Sequence, residues 1–441
     1  MLKNNVKRED LVLQKQNNVG AAVPYAWLIV FILFVGLVTS FGMRVSFGVY
    51  VSPWEHEFSV SRTVVSSIST LNFIFFAVSQ PLVGKWNDQF GKGLVPIISL
   101  FVVGFSLLLT SQATQMWQIF VLFGVIFPFG VAGCSNVITG AIVTKWFVEK
   151  RSFALALVVS GMAAGQLIMV PINQHIIDGY GWRTAMSVLS IIIMVVVGPL
   201  FIIFLRSRPE EKGKKPYGYI ESGEDLQNIG GKAADKKTVA AQPSMPLLGV
   251  FKTKAFWLLS IPFFVCGFTD VGLINTHLFV MAEGKGLLRE NVSSVIMVIA
   301  VCNIGGTILA GHLSDRISRK RYLAVMYFIR ACTYTCLLLF KSPALLFVFA
   351  VLYGAMEMAT IAPTHSLTVQ IFDKYSTGTI LGLVSVSHQL GGAVGSWLPG
   401  RLFDVTGSYS GVVVLSMVML VVGGLLSLKI PEPEKKQLSG H

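Results

Sequence analysis

The chain has 441 residues, of which 53% are hydrophobic and only 13% charged, with a mean hydropathy of +0.68. A soluble domain carries about 25% charged residues, so a water-solvated fold is excluded and the bilayer is the expected solvent. The net charge of +13 does not point to nucleic acid, because Lys and Arg sit in short loops between apolar runs rather than on one face.

Residues 1–23 read as a polar tail. They lack the basic-then-apolar order and the small-residue cleavage site of a signal peptide. Six apolar runs follow, at 24–51, 62–84, 93–112, 116–143, 152–175 and 183–205, and make a first half, 24–205. The segment 206–254 is rich in Lys, Glu, Gly, Asp and Pro and too poor in apolar residues to build a core, so it reads as a flexible cytoplasmic linker. Six more runs, at 255–280, 290–312, 322–341, 344–366, 377–399 and 409–429, make a second half, 255–429, before a tail, 430–441. About 20 residues cross the hydrocarbon, and every run meets or nearly meets that length. The expectation is an all-α membrane protein with twelve transmembrane helices in two pseudo-symmetric six-helix bundles.

Loops on one side of this arrangement hold 27 Lys and Arg, and those on the other side hold 6. The basic side is expected in the cytoplasm, which places both termini there and the chain in the cytoplasmic (inner) membrane. The five cysteines, Cys134, Cys266, Cys302, Cys332 and Cys336, lie inside apolar runs without zinc-ligand spacing, so they read as buried small hydrophobes and no metal is expected.

The chain is written twice. Gly84-Lys85-Trp86-Asn87-Asp88 recurs as Gly311-His312-Leu313-Ser314-Asp315, an offset of 227 residues that also carries Ser160 onto Ser387 and Gly165 onto Gly392. Duplicated apolar halves are the usual build of a carrier that rocks around a central site. Gly admits a close helix neighbour, and Asp at a helix end can pair with a basic residue or a helix N-terminus. Gly84, Asp88, Gly311, Asp315 and Arg316 are therefore read as a clasp that holds the cytoplasmic side shut. On these residues the chain resembles the major facilitator superfamily, whose loop pattern is Gly, three residues, Asp-Arg, then Gly and basic residues. The second copy matches with Gly311, Asp315, Arg316, Arg319 and Lys320. The first copy has Gln89 where Arg is usual, with Gly91 and Lys92 in agreement. The resemblance extends from about Tyr25 to Leu428 and implies the corresponding fold.

Ionisable residues within membrane spans are costly and mark function by default. Here they are Arg44, Asp270, Arg330, Glu357 and His388, with His277 and His365 nearer the ends. Arg44 and Asp270 lie at similar depths in the first run of each half, one residue from being repeat mates. The resemblance implies that these two runs face each other across the cavity, so an Arg44–Asp270 pair closing the outer gate is expected. Arg330 falls near the midplane and is the leading anchor for an anionic substrate, because guanidinium holds carboxylate through two parallel hydrogen bonds. Its competing reading is a buried brace to Glu357. His388 reads as a proton carrier or carboxylate donor, against a neutral core histidine. Asn136 and Gln166 are uncharged candidates for the cavity wall. Asp270, Glu357 and His277 are assigned to proton coupling or gating: an anion competing for its Arg partner would let Asp270 take up a proton.

Arg44-Val45-Ser46-Phe47-Gly48, Gly165-Gln166, Cys266-Gly267-Phe268, Thr276-His277, His388-Gln389, and Gly407-Ser408-Tyr409 after Asp404, together resemble the bacterial branch of monocarboxylate-porter-like carriers. Animal monocarboxylate transporters resembling this chain carry Asp and Arg four residues apart on the eighth span, where Val301-Cys302-Asn303-Ile304-Gly305-Gly306 is uncharged. Oxalate–formate exchangers place cations on the eighth and eleventh spans, where Thr307 and Val384 stand. If the substrate is an anion, Arg44 or Arg330 must hold it. The resemblance implies a secondary active transporter that moves a small organic anion, a monocarboxylate, with a proton by alternating access. Efflux of an amphipathic drug or metabolite is the alternative. With no nucleophile–base constellation, phosphate loop or metal spacing, neither an enzyme nor a cofactor is expected.

Overall fold

The computed structural model describes residues 25–90, 93–218, 247–372 and 377–432. The tail 1–23, residues 219–246 of the linker and most of the C-terminal tail lie outside the described residues. Each of the twelve predicted runs holds helix. Nine helices among the described residues are long and apolar enough to cross a membrane. The difference from twelve lies at three places, and two have a clear physical cause.

In the first half the helices are α1 (Tyr25–Val45), α2 (Phe47–Phe58), α3 (Arg62–Phe90), α4 (Leu94–Ser111), α5 (Met116–Trp146) and α6 (Gly161–Ile192). The apolar stretch Phe153–Phe204, which contains α6, is 52 residues long. It changes direction at Gly181, whose φ of 82° and ψ of 162° lie in a region that only glycine adopts without strain. That turn falls between the predicted runs 152–175 and 183–205.

The second half contains α7 (Lys254–Glu283), α8 (Arg289–Arg316), α9 (Arg319–Leu339), α10 (Pro343–Gly354), α11 (Ile361–Ile371), α12 (Thr377–Thr406) and α13 (Ser410–Leu428). Predicted run 344–366 is not one helix, because residues 355–360 unwind between α10 and α11. α8 presses against the break. A Cβ on Gly306 would sit 2.0 Å from the Ala355 carbonyl oxygen, and one on Gly354 would sit 2.5 Å from that of Ile299. The third place is α12, whose 30 residues carry Ser385, Ser387, His388 and Gln389 in mid-helix.

α7 is also irregular, widening to a π-turn over Phe268–Ile274. Irregular backbone survives in a bilayer only where neighbours satisfy its polar groups. α9 does this for α7: Tyr327 Oη donates to the Pro262 carbonyl and Tyr334 Oη to the Thr269 carbonyl, both at 2.7 Å. Large apolar side chains such as Phe31, Phe105, Trp117, Val195 and Leu425 point outward, where lipid rather than water solvates them.

The halves are joined at the end that carries Glu55, Arg289 and Asp404, opposite the end that carries Tyr25 and Glu432. α3 packs along α12, and α6 along α8. Thr70 Oγ1 donates to the Ala393 carbonyl (3.1 Å) and lies 3.0 Å from Ser396 Oγ. Arg289 bridges to Asp178 at 3.2 Å. Arg62 is held by both oxygens of Glu55 (2.7 and 2.8 Å) and lies 4.2 Å over the Phe403 ring. Asp404 caps the start of α3, accepting from the Thr63 backbone N–H at 2.9 Å and from the Thr63 hydroxyl. Partial burial pushes the Asp404 carboxyl up, but the Thr63 hydrogen bonds outweigh it and hold the group below the usual carboxylate range. A lowered folded-state value stabilises the joint above the ordinary carboxylate pKa, and this contribution disappears as pH falls through the lowered value. Arg62→Ala is expected to loosen this joint. A cysteine placed at buried Ser66, which packs against Gly400, should then react faster with an impermeant thiol reagent than in the parent.

Candidate functional site

Between the halves, on the Tyr25 side of that joint, lies a cavity of about 170 Å³. Arg44, Asn136, Asp270, Glu357 and His388 all line it, so five of the eight substrate and coupling candidates share one wall. The other three lie elsewhere. Gln166 lines a narrow crevice with Gly48 and Asn275. His277 is buried at the joint, with Nε2 2.7 Å from the Ser396 carbonyl and Nδ1 3.0 Å from Tyr409 Oη. Arg330 is fully buried behind Asp270. Gly84 sits on α3 with open space beside it. The side chains of Asp88, Gly311, Asp315 and Arg316 lie outside the described residues.

Asp270 does not pair with Arg44. Arg330 Nη1 donates to Asp270 Oδ2 at 2.7 Å, and Cys266 Sγ donates to the same oxygen at 3.1 Å. Arg330 Nη2 donates to the carbonyls of Met356 and Glu357, the latter at 3.1 Å. The predicted brace to Glu357 thus exists, but it runs to the backbone of the break and not to the carboxylate. A single guanidinium joins the π-turn of α7 to the unwound segment after α10. Arg330 is not in the cavity wall, and its charge is balanced by Asp270.

Arg44 is different. It is 8% exposed, and it has no carboxylate partner among the described residues. Nε donates to Asn72 Oδ1 at 2.8 Å, and the guanidinium carbon lies 4.6 Å from the Phe73 ring centre and 4.0 Å from that of Phe76. Nη2 is buried without a hydrogen-bond partner. Two aromatic faces stabilise a cation by about 0.5–2 kcal/mol each, less than a full counter-charge supplies in a dry site. The result is a positioned cation with a spare donor beside the cavity.

Glu357 stands on the break. Its Oε2 accepts from Asn303 Nδ2 at 2.7 Å, and Thr307 Oγ1 steadies Asn303 Oδ1 at 3.0 Å. The His388 ring packs 4.6 Å from that of Phe263, and His365, whose Nε2 has no partner, joins the same wall. Asn72, Asn303 and Gln389 were not assigned from the sequence, and His365 was noted there only as an ionisable residue near a span end. A signal existed in α3: Ser69, Asn72, Phe76 and Gln80 recur at helical spacing, so Asn72, which holds Arg44, shares a face with Phe76 and Gln80 of the cavity wall. Asn303 carried no such signal, being one amide in an otherwise apolar stretch.

Residues 32–343 and 281–441 match the family model of the Major Facilitator Superfamily. The MFS-type transporter YcxA of Bacillus subtilis is 23% identical over 93% of this chain and 96% of its own length. Monocarboxylate transporter 12-B of Danio rerio is 24% identical over 95% and 90%, and MFS transporter asaE of Aspergillus flavus 26% identical over 90% and 85%. The crystal structure of a bacterial homologue of the human lysosomal transporter Spinster, inward-facing and unoccupied, superposes with a TM-score of 0.70 at 16% identity, covering 92% of this chain and 97% of that one. With this fold, a cavity shared by two halves and a family match along most of its length, the chain belongs to the Major Facilitator Superfamily of membrane transporters.

Proposed function

We propose that this transporter carries a small monocarboxylate together with a proton across the cytoplasmic membrane by alternating access. The observation that carries the reading is Arg44: a buried guanidinium with no carboxylate partner among the described residues and a free Nη2, beside a cavity built from both halves. A carboxylate entering the cavity supplies the missing counter-charge and accepts from Nη2. Anion binding is thereby tied to the surface on which the halves move. The asymmetry of Lys and Arg supports cytoplasmic termini, and on that orientation the joined end faces outward and the cavity inward.

Glu357 is assigned the proton. Its carboxylate has an amide partner and, among the described residues, no cationic one, whereas Asp270 is already matched by Arg330. Unwound carbonyls in membrane helices commonly hold coupling cations, but here those of Met356 and Glu357 bind the Arg330 guanidinium. Coupling by a metal ion is correspondingly disfavoured. Replacing external sodium with choline is expected to leave uptake unchanged.

The efflux reading draws on the apolar part of the wall, which includes Phe41, Phe76, Phe263, Met162 and Met358. Drug-sized ligands occupy pockets of about 300–1,000 Å³, and this cavity is about 170 Å³. Size therefore favours the small acid. Purified protein in vesicles should take up labelled lactate or butyrate, faster with an inward proton gradient. Glu357→Gln should remove that stimulation. Absence of uptake for every short acid tested, in either gradient, would overturn the reading.

A further inference from the structure

Among the described residues, the two cavity-lining charges that lack an opposite charge come from opposite halves. Arg44 is on α1 of the first half, and Glu357 is on the break of the second. The remaining charged pair, Asp270 with Arg330, is neutral within itself. The described groups around Glu357 supply no paired cation. Asn303 on α8 gives an amide, and Arg330 on α9 reaches only the backbone carbonyl. Asp270 on α7, His365 on α11, His388 on α12 and Arg44 on α1 occupy other parts of the same wall. The cavity is therefore bipolar, with a positive pole on one moving half and a negative pole on the other.

A simple monocarboxylate satisfies the positive pole alone. A buried charge left uncompensated is expensive, so the negative pole must receive a positive charge from another source. On the reading above that source is a proton. A substrate can also bring its own. We propose that the cavity accepts short zwitterionic acids, with the carboxylate on Arg44 and an ammonium or guanidinium group on Glu357, and that such substrates cross without a coupled proton.

This inference rests on the anion-carrier reading and adds the second pole. The cavity of about 170 Å³ lies below the range of about 300–1,000 Å³ typical of sites for drug-sized ligands, which suits an acid of a few heavy atoms. Butyrate and β-alanine both have that size. They are isosteres that differ by a methyl against an ammonium at the end remote from the carboxylate.

The test is uptake of labelled butyrate and β-alanine by vesicles containing the full chain, with and without an inward proton gradient. Both acids should enter and inhibit each other. Butyrate uptake should rise with the gradient, and β-alanine uptake should not respond to it. Glu357→Gln should lower the preference for β-alanine over butyrate by roughly tenfold or more, and Arg44→Ala should suppress both. Butyrate uptake that β-alanine neither shares nor inhibits overturns the zwitterion inference and leaves the anion reading standing. Failure of both acids overturns both readings. β-Alanine uptake driven by the proton gradient, or unaffected by Glu357→Gln, also overturns the inference. The wild-type arms decide the matter if Glu357→Gln does not fold.

Discussion

Arg330→Ala is expected to cost the protein its fold before it costs it a substrate. The guanidinium is fully buried, bonded to Asp270 at 2.7 Å and to two carbonyls at the break between α10 and α11. Removing it leaves Asp270 as an uncompensated buried charge and returns both carbonyls to an unpaired state. Loss of one partner of a buried pair costs about 3–5 kcal/mol, a large part of a typical stability of about 5–15 kcal/mol. Melting of the purified protein in detergent should therefore drop sharply. Arg330→Lys should not repair it, because a single ammonium cannot serve a carboxylate and two carbonyls in one plane. Replacing both charges, as in Arg330→Met with Asp270→Leu, should recover much of the loss, since an apolar pair removes the desolvation cost of both. An Arg330→Ala protein that melts normally and shows only a raised KM would instead make Arg330 the substrate anchor.

What the sequence made legible follows from which physical signals are local. Length and hydropathy marked every helical run, because a bilayer demands about 20 apolar residues in succession. The bend at Gly181 fell between two runs and so was bracketed by them. The break at 355–360 was missed because Gly354-Ala355-Met356-Glu357-Met358-Ala359-Thr360 is as apolar as a helix, with only Glu357 out of place. Its unwinding depends on Gly306 and Arg330 from other helices, and their approach is a property of packing. The charges within the membrane were all visible. Their partners were not, because pairing depends on which helix faces which. Repeat symmetry suggested Arg44 with Asp270, since both lie on the first helix of a half, but α9 brings Arg330 to Asp270 from within the same half. The bond that was expected to lock the halves together is a brace inside one of them, and the locking contacts lie at Arg62, Asp178, Arg289 and Asp404.

Arg44→Ala should behave in the opposite way to Arg330→Ala. Uptake of butyrate or lactate is expected to fall roughly 10- to 100-fold, the equivalent of losing hydrogen bonds to a charged group. The melting temperature should hold or rise, because the substitution removes a buried cation that has no carboxylate partner. Butyrate should raise the melting temperature of the parent by mass action and leave that of the variant unchanged. Arg44→Lys retains the charge but loses the Nε bond to Asn72 (2.8 Å) that fixes the guanidinium between Phe73 and Phe76, so partial uptake with a raised KM is expected. Asn72 itself accepts from Arg44 and donates to the Phe123 carbonyl at 3.0 Å, which makes it a positioning residue. Asn72→Ala should raise KM while kcat at saturating substrate changes less, since the cation remains but its orientation is lost. Normal butyrate uptake by Arg44→Ala, or a fall in its stability as large as that of Arg330→Ala, would show that Arg44 is a structural element and would remove the anion site from this cavity.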